Sequence, residues 1–196
     1  MSNLITVGIS DLNIAQAPDV LVTYALGSCV GICLYDSATK TAGLSHIMLP
    51  SSSLNPNGGQ EHRFADTAIV ALVKKLETAG ANPRRLKAKI AGGAQMFPAL
   101  NNSAIANIGK RNIDAVREML GKLSIPIVAD DTGKDYGRTL FFSAEDGSMR
   151  IKSASRGEWV WRIGADRNIA RRERRSRSAG YIVLLFKKNS AGALKM

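Results

Sequence analysis

The sequence has few of the residues on which metal centres and disulfide frameworks are built. Its 196 residues include two cysteines and two histidines, and Cys29 and Cys33 lie too close in sequence to form the framework of a small secreted domain. No apolar run approaches the ~20 residues that a membrane-spanning helix needs. The first ten residues have neither the basic nor the long apolar region of a signal peptide. We therefore expect a cytoplasmic protein without a transmembrane segment.

Acidic residues are also scarce, but the imbalance is confined to one end of the chain. There are 27 Lys and Arg against 16 Asp and Glu, a formal net charge of +11. Residues 155–196 hold 11 of the basic and 3 of the acidic groups, which leaves 16 and 13, a net of +3, for residues 1–154. The distribution predicts a nearly neutral domain over 1–154, for which we expect no nucleic-acid binding, and a basic C-terminal extension over 155–196 that is disordered or loosely packed.

The extension leaves a second interpretation open. An apolar hexamer, YIVLLF, follows five closely spaced arginines, and together they could bind an anionic surface, either a membrane or nucleic-acid phosphates. The arginines are Arg171, Arg172, Arg174, Arg175 and Arg177.

Short apolar and β-branched runs predict about eight strands, and two stripes of apolar residues predict helices. The first helix is expected from near Phe64 to Gly80 and the second over 108–123. Connections are expected at 10–19, 51–61 and 98–106, and hairpins at 30–49 and 138–154. This order predicts an α/β layered sandwich of mixed or antiparallel β-sheet, with two main helices on one face. The remaining strands are expected at 4–9, 20–25, 87–91 and 125–129.

The stretch from Val22 to Pro50 carries the residues with the most useful chemistry. Cys29 follows a Leu-Gly-Ser interruption between two predicted strands, and His46 lies across the predicted hairpin. An imidazole beside a thiol can take its proton and so make a nucleophile. Thr23 is a candidate third member, because its hydroxyl or carbonyl could hold the imidazole in one orientation.

Backbone groups near the thiol are candidates for a second task. The N–H groups of Gly27 and Ser28 could donate hydrogen bonds to a developing oxyanion. The pair Gly92-Gly93 matches no phosphate-binding motif, so we expect it to form a turn or the backbone wall of a cleft.

A metal site is an alternative for the same residue types. Cys29, Cys33, His46 and His62 have the atoms that zinc binds. In an extended strand, however, the Cα atoms of the two cysteines would lie ~13 Å apart, too far for both sulfurs to share one tetrahedral ion. We therefore expect no metal, a buried and chemically inert Cys33, and a solvated His62.

Five segments also resemble the CheD family, the chemoreceptor glutamine deamidases of bacterial chemotaxis. They cover roughly residues 3–153 and read TYALGSCVGICLYD, GLSHIMLP, KIAGGAQMF, IGKRNIDAVREML and IPIVADDTGKDYGRTLFF. The resemblance implies a cysteine-dependent amidohydrolase that needs no cofactor, with Cys29 as nucleophile, His46 as base and Thr23 as third member. It also implies a fold similar to that of glutamine-deamidating toxins. Tyr24-Ala25 departs from the Leu-Gly more usual in the family, and this change is expected to reshape the pocket wall.

The resemblance also implies partners. The substrate would be the cytoplasmic domain of a chemoreceptor, and in some members of the family a CheC-type phosphatase binds as a regulator. Two alternatives stay open beside the enzyme. One is a non-catalytic adaptor that binds the receptor or the phosphatase, and the other is nucleic-acid or membrane-surface binding by the extension.

Overall fold

The computed structural model describes residues 1–54, 60–96 and 107–162. Over these ranges the chain forms ten strands, two α-helices and three short 3₁₀ turns. The strands are β1 (Leu4–Thr6), β2 (Asp11–Gln16), β3 (Val20–Leu26), β4 (Val30–Asp36), β5 (Thr41–Ile47), β6 (Lys87–Gly92), β7 (Ile127–Thr132), β8 (Arg138–Ser143), β9 (Met149–Ser153) and β10 (Gly157–Trp161). The helices are α1 (Ala65–Thr78) and α2 (Ile108–Lys122), and the 3₁₀ turns are Ser52–Leu54, Glu61–Arg63 and Pro83–Arg85.

The strands form two five-stranded sheets. The outer sheet has the order β1-β3-β8-β9-β10, and the central sheet has the order β2-β5-β4-β6-β7. Each sheet is mixed, because β1 pairs with β3 in parallel and β6 pairs with β7 in parallel, whereas the other pairs are antiparallel. The predicted layered sandwich with two main helices is confirmed.

The central sheet lies between the helices and the outer sheet, so both of its faces are covered. Every residue of β4 is buried for this reason. Ile32 and Leu34 point into the core beneath the helices. Cys33 and Tyr35, which alternate with them, point into the core between the sheets. The side chains of one strand thus serve two cores, and the candidate functional residues belong to the second.

Both predicted helices and both predicted hairpins are confirmed, but β2 was missed. Its residues, within 10–19, read as a polar connection, yet they pair in antiparallel register with β5 from Asp11↔His46 to Gln16↔Thr41. Leu12 and Ala15 are buried, while Asp11 and Gln16 are exposed. An edge strand tolerates this polarity because part of its surface meets solvent.

The strand β10 lies beyond the predicted domain boundary at residue 154. It pairs with β9 from Gly157↔Ser153 to Trp161↔Met149. Trp159 is buried and its indole N–H donates to the carboxylate of Asp131. The compact fold therefore continues at least to Trp161.

Several predicted segments lie outside the described residues. They are the arginine run and hexamer of the extension, the whole 98–106 connection, and the centre of the 51–61 loop, whose two ends form 3₁₀ turns. No helix in the described ranges is long and apolar enough to cross a membrane.

Candidate active site

Thr23 and His46 meet between the two sheets. Thr23 comes from β3 of the outer sheet and His46 from β5 of the central sheet, and neither side chain is exposed to solvent. The hydroxyl oxygen of Thr23 lies 2.7 Å from Nδ1 of His46. A residue pair 23 positions apart in sequence therefore joins the two sheets at the centre of the site.

The surroundings of Thr23 decide which imidazole nitrogen carries the proton. Its Oγ1 lies 2.7 Å from the carbonyl oxygen of Val7, and a carbonyl oxygen can only accept. The single hydroxyl hydrogen of Thr23 is thus donated to Val7. His46 must then donate its Nδ1–H to Thr23, which leaves the lone pair on Nε2. Nε2 is consequently the nitrogen that can act as a base.

The environment of His46 keeps that base neutral. Burial lowers the pKa of His46 to about 4, because an imidazolium loses its hydration inside the protein. Nε2 is buried, and no described residue forms a hydrogen bond with it. Near neutral pH the lone pair is therefore available to a proton donor that enters the site.

Cys29 lies on the same face of the central sheet as His46. In the β4–β5 pairing, Gly31 is directly opposite His46. Cys29, one residue before β4, precedes Gly31 by two positions, and its side chain packs on the same side of the sheet, against the core between the sheets. It is half-buried and packs at the margin of the core between the sheets. Gly31 has no side chain, and a Cβ atom there would lie 3.1 Å from Leu26 and 3.2 Å from Leu140, which pack over this position.

The thiol of Cys29 is protonated in the resting site. Burial raises its pKa, and the N–H of its own backbone partly offsets that rise. The Cys29 thiol and the His46 imidazole are therefore both neutral near neutral pH, and they do not form a preformed thiolate–imidazolium pair.

The loop that carries Cys29 lies against Gly92-Gly93, the predicted cleft wall. The N–H of Gly93 donates to the carbonyl of Cys29 at 2.7 Å, and the N–H of Ala94 donates to that of Gly27 at 2.7 Å. Gly92 has a φ of 106°, and a Cβ atom there would lie 2.2 Å from the Cys29 carbonyl oxygen. Glycine is thus required for the close approach of the two segments.

One predicted oxyanion donor is wrong. The N–H of Gly27 donates to the carbonyl of Ala25 at 2.9 Å, so it is already engaged. The N–H of Ser28 has no acceptor in the described part of the chain. The N–H of Cys29 lies beside its own sulfur, where it lowers the pKa of the thiol. These two groups are the backbone donors that the loop offers.

Asn112, which was not among the residues predicted from the sequence, contacts both the Cys29 loop and the end of the His46 strand. This residue of α2 is fully buried, and its Nδ2 lies 3.0 Å from the carbonyl oxygens of Ser28 and Met48. Asn112 falls on the buried stripe of α2 beside Ile113 and Val116. Asparagine is unfavourable inside a helix, and a buried one needs partners, so its position in the apolar stripe was the available signal.

The other candidate metal ligands, Cys33 and His62, do not form a metal site with Cys29 and His46 among the described residues. Cys33 is fully buried in the core between the sheets, as predicted, and burial raises the pKa of its thiol. His62 is half-buried in the 3₁₀ turn Glu61–Arg63, rather than solvated. Among the described residues, no group of three or more His, Cys, Asp and Glu side chains is arranged to hold a metal ion.

A groove begins beside the loop. It has a volume of about 390 Å³ and runs between Ala25 and Met96 on one side and residues 135–139 and 152–155 on the other. Ala25 has a φ of 58°, at an irregularity in the β3–β8 pairing, and glycine would adopt this conformation with less strain. Tyr24 is exposed beside it.

The chain is similar to proteins of one family. Residues 48–153 match the family model described as CheD chemotactic sensory transduction. A probable chemoreceptor glutamine deamidase CheD of Caldanaerobacter subterraneus subsp. tengcongensis is 50% identical over 156 residues, which are 80% of this chain and 96% of that protein. The chemoreceptor glutamine deamidase CheD of Halalkalibacterium halodurans is 46% identical over 161 residues, 81% of this chain and 98% of that protein.

A solved structure gives a weaker likeness. The hypothetical protein YfiH of Bacillus licheniformis superposes with a TM-score of 0.41 and 15% identity, covering 64% of this chain and 51% of that one. The family-model match begins at Met48, after the candidate triad, so the roles of Thr23, Cys29 and His46 depend on the geometry described above.

Proposed function

Because the chain belongs to the CheD family, we propose that it is a protein-glutamine glutaminase that converts chemoreceptor glutamines to glutamate. The observation that carries the proposal is the 2.7 Å contact between Thr23 and His46. That contact leaves Nε2 as a base on the sheet face that also carries Cys29. The substrate class follows from the names of the relatives, which are chemoreceptor glutamine deamidases.

The first half of the proposed reaction forms a thioester. Nε2 of His46 takes the proton of the Cys29 thiol while the sulfur attacks the side-chain carboxamide carbon of the substrate glutamine. The carbonyl oxygen becomes an oxyanion and accepts from the N–H groups of Ser28 and Cys29. His46 then gives the proton to the leaving nitrogen, the C–N bond breaks, and ammonia departs.

The second half restores the enzyme. Nε2 removes a proton from water as the water oxygen attacks the thioester carbon, and the C–S bond breaks in the collapse of the second tetrahedral intermediate. The sulfur recovers its proton from His46, and the product side chain is a glutamate. Thr23 accepts from Nδ1–H throughout, so it holds the ring plane without adding a charge that would stabilise the imidazolium.

The proposed substrate surface is a helix of the receptor cytoplasmic domain. A shallow site suits a helical substrate, and the open groove beside Ala25 and Met96 lies next to the Cys29 loop. The proposed compartment is the cytoplasm, because both thiols are free and reducing compartments keep them so. A CheC-type phosphatase is a further proposed partner, on the resemblance alone.

Incubation with a recombinant receptor cytoplasmic domain, followed by peptide mass spectrometry, tests the proposal. We expect specific glutamine peptides to gain the small mass difference between a carboxamide and a carboxylate. Cys29→Ala and His46→Ala should each abolish the conversion while leaving receptor pull-down intact. Receptor binding without conversion by the wild-type protein would instead establish an adaptor.

A further inference from the structure

We propose that Asn112 is a positioning residue that orients the Ser28–Cys29 peptide as an oxyanion donor. The inference deepens the proposed function and rests on it, because it concerns the same site. Asn112 does not touch the reacting atoms. It acts through the peptide that joins Ser28 to the nucleophile.

The two amide hydrogens of Asn112 connect the nucleophile to the base. One is donated to Ser28 O and the other to Met48 O, both at 3.0 Å. Ser28 precedes Cys29 directly, and Met48 follows His46 by two positions, just past the end of β5. One side chain on α2 thus fixes the loop that carries the thiol relative to the strand that carries the imidazole.

The hydrogen bond from Asn112 to the Ser28 carbonyl also fixes the orientation of the Ser28–Cys29 peptide group. In a planar trans peptide the C=O and N–H point to opposite sides. The carbonyl of the Ser28–Cys29 peptide points toward Asn112, so the N–H of Cys29 points away from α2. A carbonyl that accepts a hydrogen bond also polarises the N–H of the same peptide, which becomes a stronger donor.

The preceding peptide is held in the same way by the backbone. The Gly27 carbonyl accepts from the N–H of Ala94, so the N–H of Ser28 is turned away from that contact. Of these two bonds, only the one from Asn112 comes from a side chain and can be removed by substitution.

Close packing of α2 fixes the distance between Asn112 and the Cys29 loop. A Cβ atom on Gly109, one turn earlier in the helix, would lie 2.7 Å from the carbonyl oxygen of Gly93 and 2.8 Å from that of Ala94. The helix therefore packs directly on the segment that contacts the Cys29 loop. Its position is fixed by this close contact, and so is the position from which Asn112 donates to Ser28.

Its unused acceptor argues against a role in packing alone. The Oδ1 atom of Asn112 is buried and has no partner among the described residues, which costs stability. The reversed amide would bring Oδ1 against two carbonyl oxygens, so the hydrogen bonds fix the orientation of the group. An apolar residue would fill the space without this cost.

The decisive variant is Asn112→Asp, which keeps the shape and removes both donors. The oxyanion exists only in the transition state, so we expect kcat for receptor deamidation at neutral pH to fall about 10- to 100-fold, with KM nearly unchanged. Alkylation of Cys29 by iodoacetamide forms no oxyanion, so its rate should change little. As the pH is lowered, the introduced carboxylate should take up a proton and regain one donor, and the ratio of variant to wild-type kcat should rise.

Two further variants separate positioning from folding. Asn107→Asp is the same chemical change at the start of α2, where the exposed side chain makes no capping hydrogen bond, and it should leave kcat unchanged. Asn112→Ala removes the donors without adding a charge and should lower kcat without recovery at lower pH. In ¹H–¹⁵N spectra, Asn112→Ala should move the Cys29 amide resonance strongly, whereas Asn107→Asp should not.

These measurements also distinguish the two proposals. An unchanged kcat in folded Asn112→Ala, an unmoved Cys29 resonance, or a parallel loss of alkylation, deamidation and melting temperature would overturn the positioning role. Failure of the wild-type protein to deamidate the receptor would overturn the proposed function instead. The amide resonance would still decide whether Asn112 holds the peptide.

Discussion

The two cysteines show how little separates a candidate nucleophile from a structural residue. Gly31, opposite His46, lies between Cys29 and Cys33 in sequence, two positions from each. Both thiols lie on the side of the central sheet that carries the imidazole, against the core between the sheets, and burial raises the pKa of both. Strand register alone does not choose between them.

The two cysteines differ in their exposure to solvent and in the hydrogen bonding of the backbone around them. Cys29 is half-buried and lies in the loop just before β4. The N–H groups of Ser28 and Cys29 in this loop are not paired with a neighbouring strand. Cys33 lies in the middle of β4, fully buried, with Lys89 opposite it on β6. In the proposed reaction, the position of Cys29 at the strand end, and not the thiol itself, would give the substrate an entrance and an oxyanion donor.

Replacing each cysteine by alanine, which removes the sulfur and leaves a methyl side chain, is the strongest test of this comparison. Cys29→Ala should lower receptor deamidation by about 10³-fold or more, since the nucleophile is lost. Cys33→Ala should keep most of the activity and lower the free energy of unfolding by about 1 kcal/mol, through the lost packing. Mass spectrometry of the receptor and chemical denaturation measure the two effects. Activity that follows Cys33 instead would reverse the assignment.

The wall behind Cys29 offers the next test. In Gly92→Ala the new Cβ would collide with the Cys29 carbonyl at a φ that disfavours alanine, at a cost of about 2–4 kcal/mol in unfolding free energy. Gly121→Ala is the control, because space around that helical position is open, and it should be neutral or stabilising by up to about 1 kcal/mol. Equal stability of the two variants would show that the loop does not need its close contact with β6.

Thr23→Val should have a smaller effect on the reaction. The variant keeps the shape but cannot accept from His46 Nδ1–H, so we expect kcat to fall roughly 10- to 100-fold, less than for loss of a charged third member. Thr23→Ser retains the hydroxyl and is the matched control. The buried Val7 carbonyl also loses its donor, so melting temperatures must accompany the kinetics. Full activity in Thr23→Val would exclude the hydroxyl from the site's function.

The rate of deamidation should depend little on the protonation of His46 over the neutral pH range. His46, with a pKa lowered to about 4, is a base wherever it is unprotonated, so its contribution should be constant from pH 8 to about 5 and lost as the pH falls through about 4. Alkylation of Cys29 should accelerate with pH to above the usual thiol value of ~8.5. Alkylation that is already maximal at pH 7 would indicate a preformed thiolate and contradict the neutral pair.

The free energy of unfolding at acid pH should also depend on the protonation of His46. A histidine with a depressed pKa in the folded state stabilises the fold above its unfolded value of ~6.5, and that contribution is lost as the pH falls toward the folded value. A shift from 6.5 to about 4 corresponds to on the order of 3 kcal/mol. Urea denaturation of wild type and His46→Gln between pH 7 and 4 should show a steeper loss for wild type.

Local patterns were sufficient for part of this site. The interrupted strand before Cys29 and the hairpin that returns to His46 could be predicted because both depend on neighbours in sequence. Asn112 could not, since its partner Ser28 is 84 positions away and periodicity marks a buried residue without naming its contacts. The engaged N–H of Gly27 depends on backbone angles in a turn that residue types do not specify.

The same limit explains the missed strands. The strand β2 is at a sheet edge, where alternation is weak because solvent accepts polar residues. The strand β10 is held by Trp159 and its hydrogen bond to Asp131, a contact between residues 28 positions apart. A domain boundary predicted at residue 154 from the charge distribution therefore excluded β10.

The contact between Thr23 and His46 has a consequence for the newly made chain. The nucleophile and base come from the central sheet and the residue that orients them comes from the outer sheet, whose strands lie at both ends of the domain sequence. Because β3 pairs with β8, residues 138–143 must be present for Thr23 to be held within a complete outer sheet. We therefore expect a chain truncated before β8 to keep its thiol but to lose the fixed contact between Thr23 and His46.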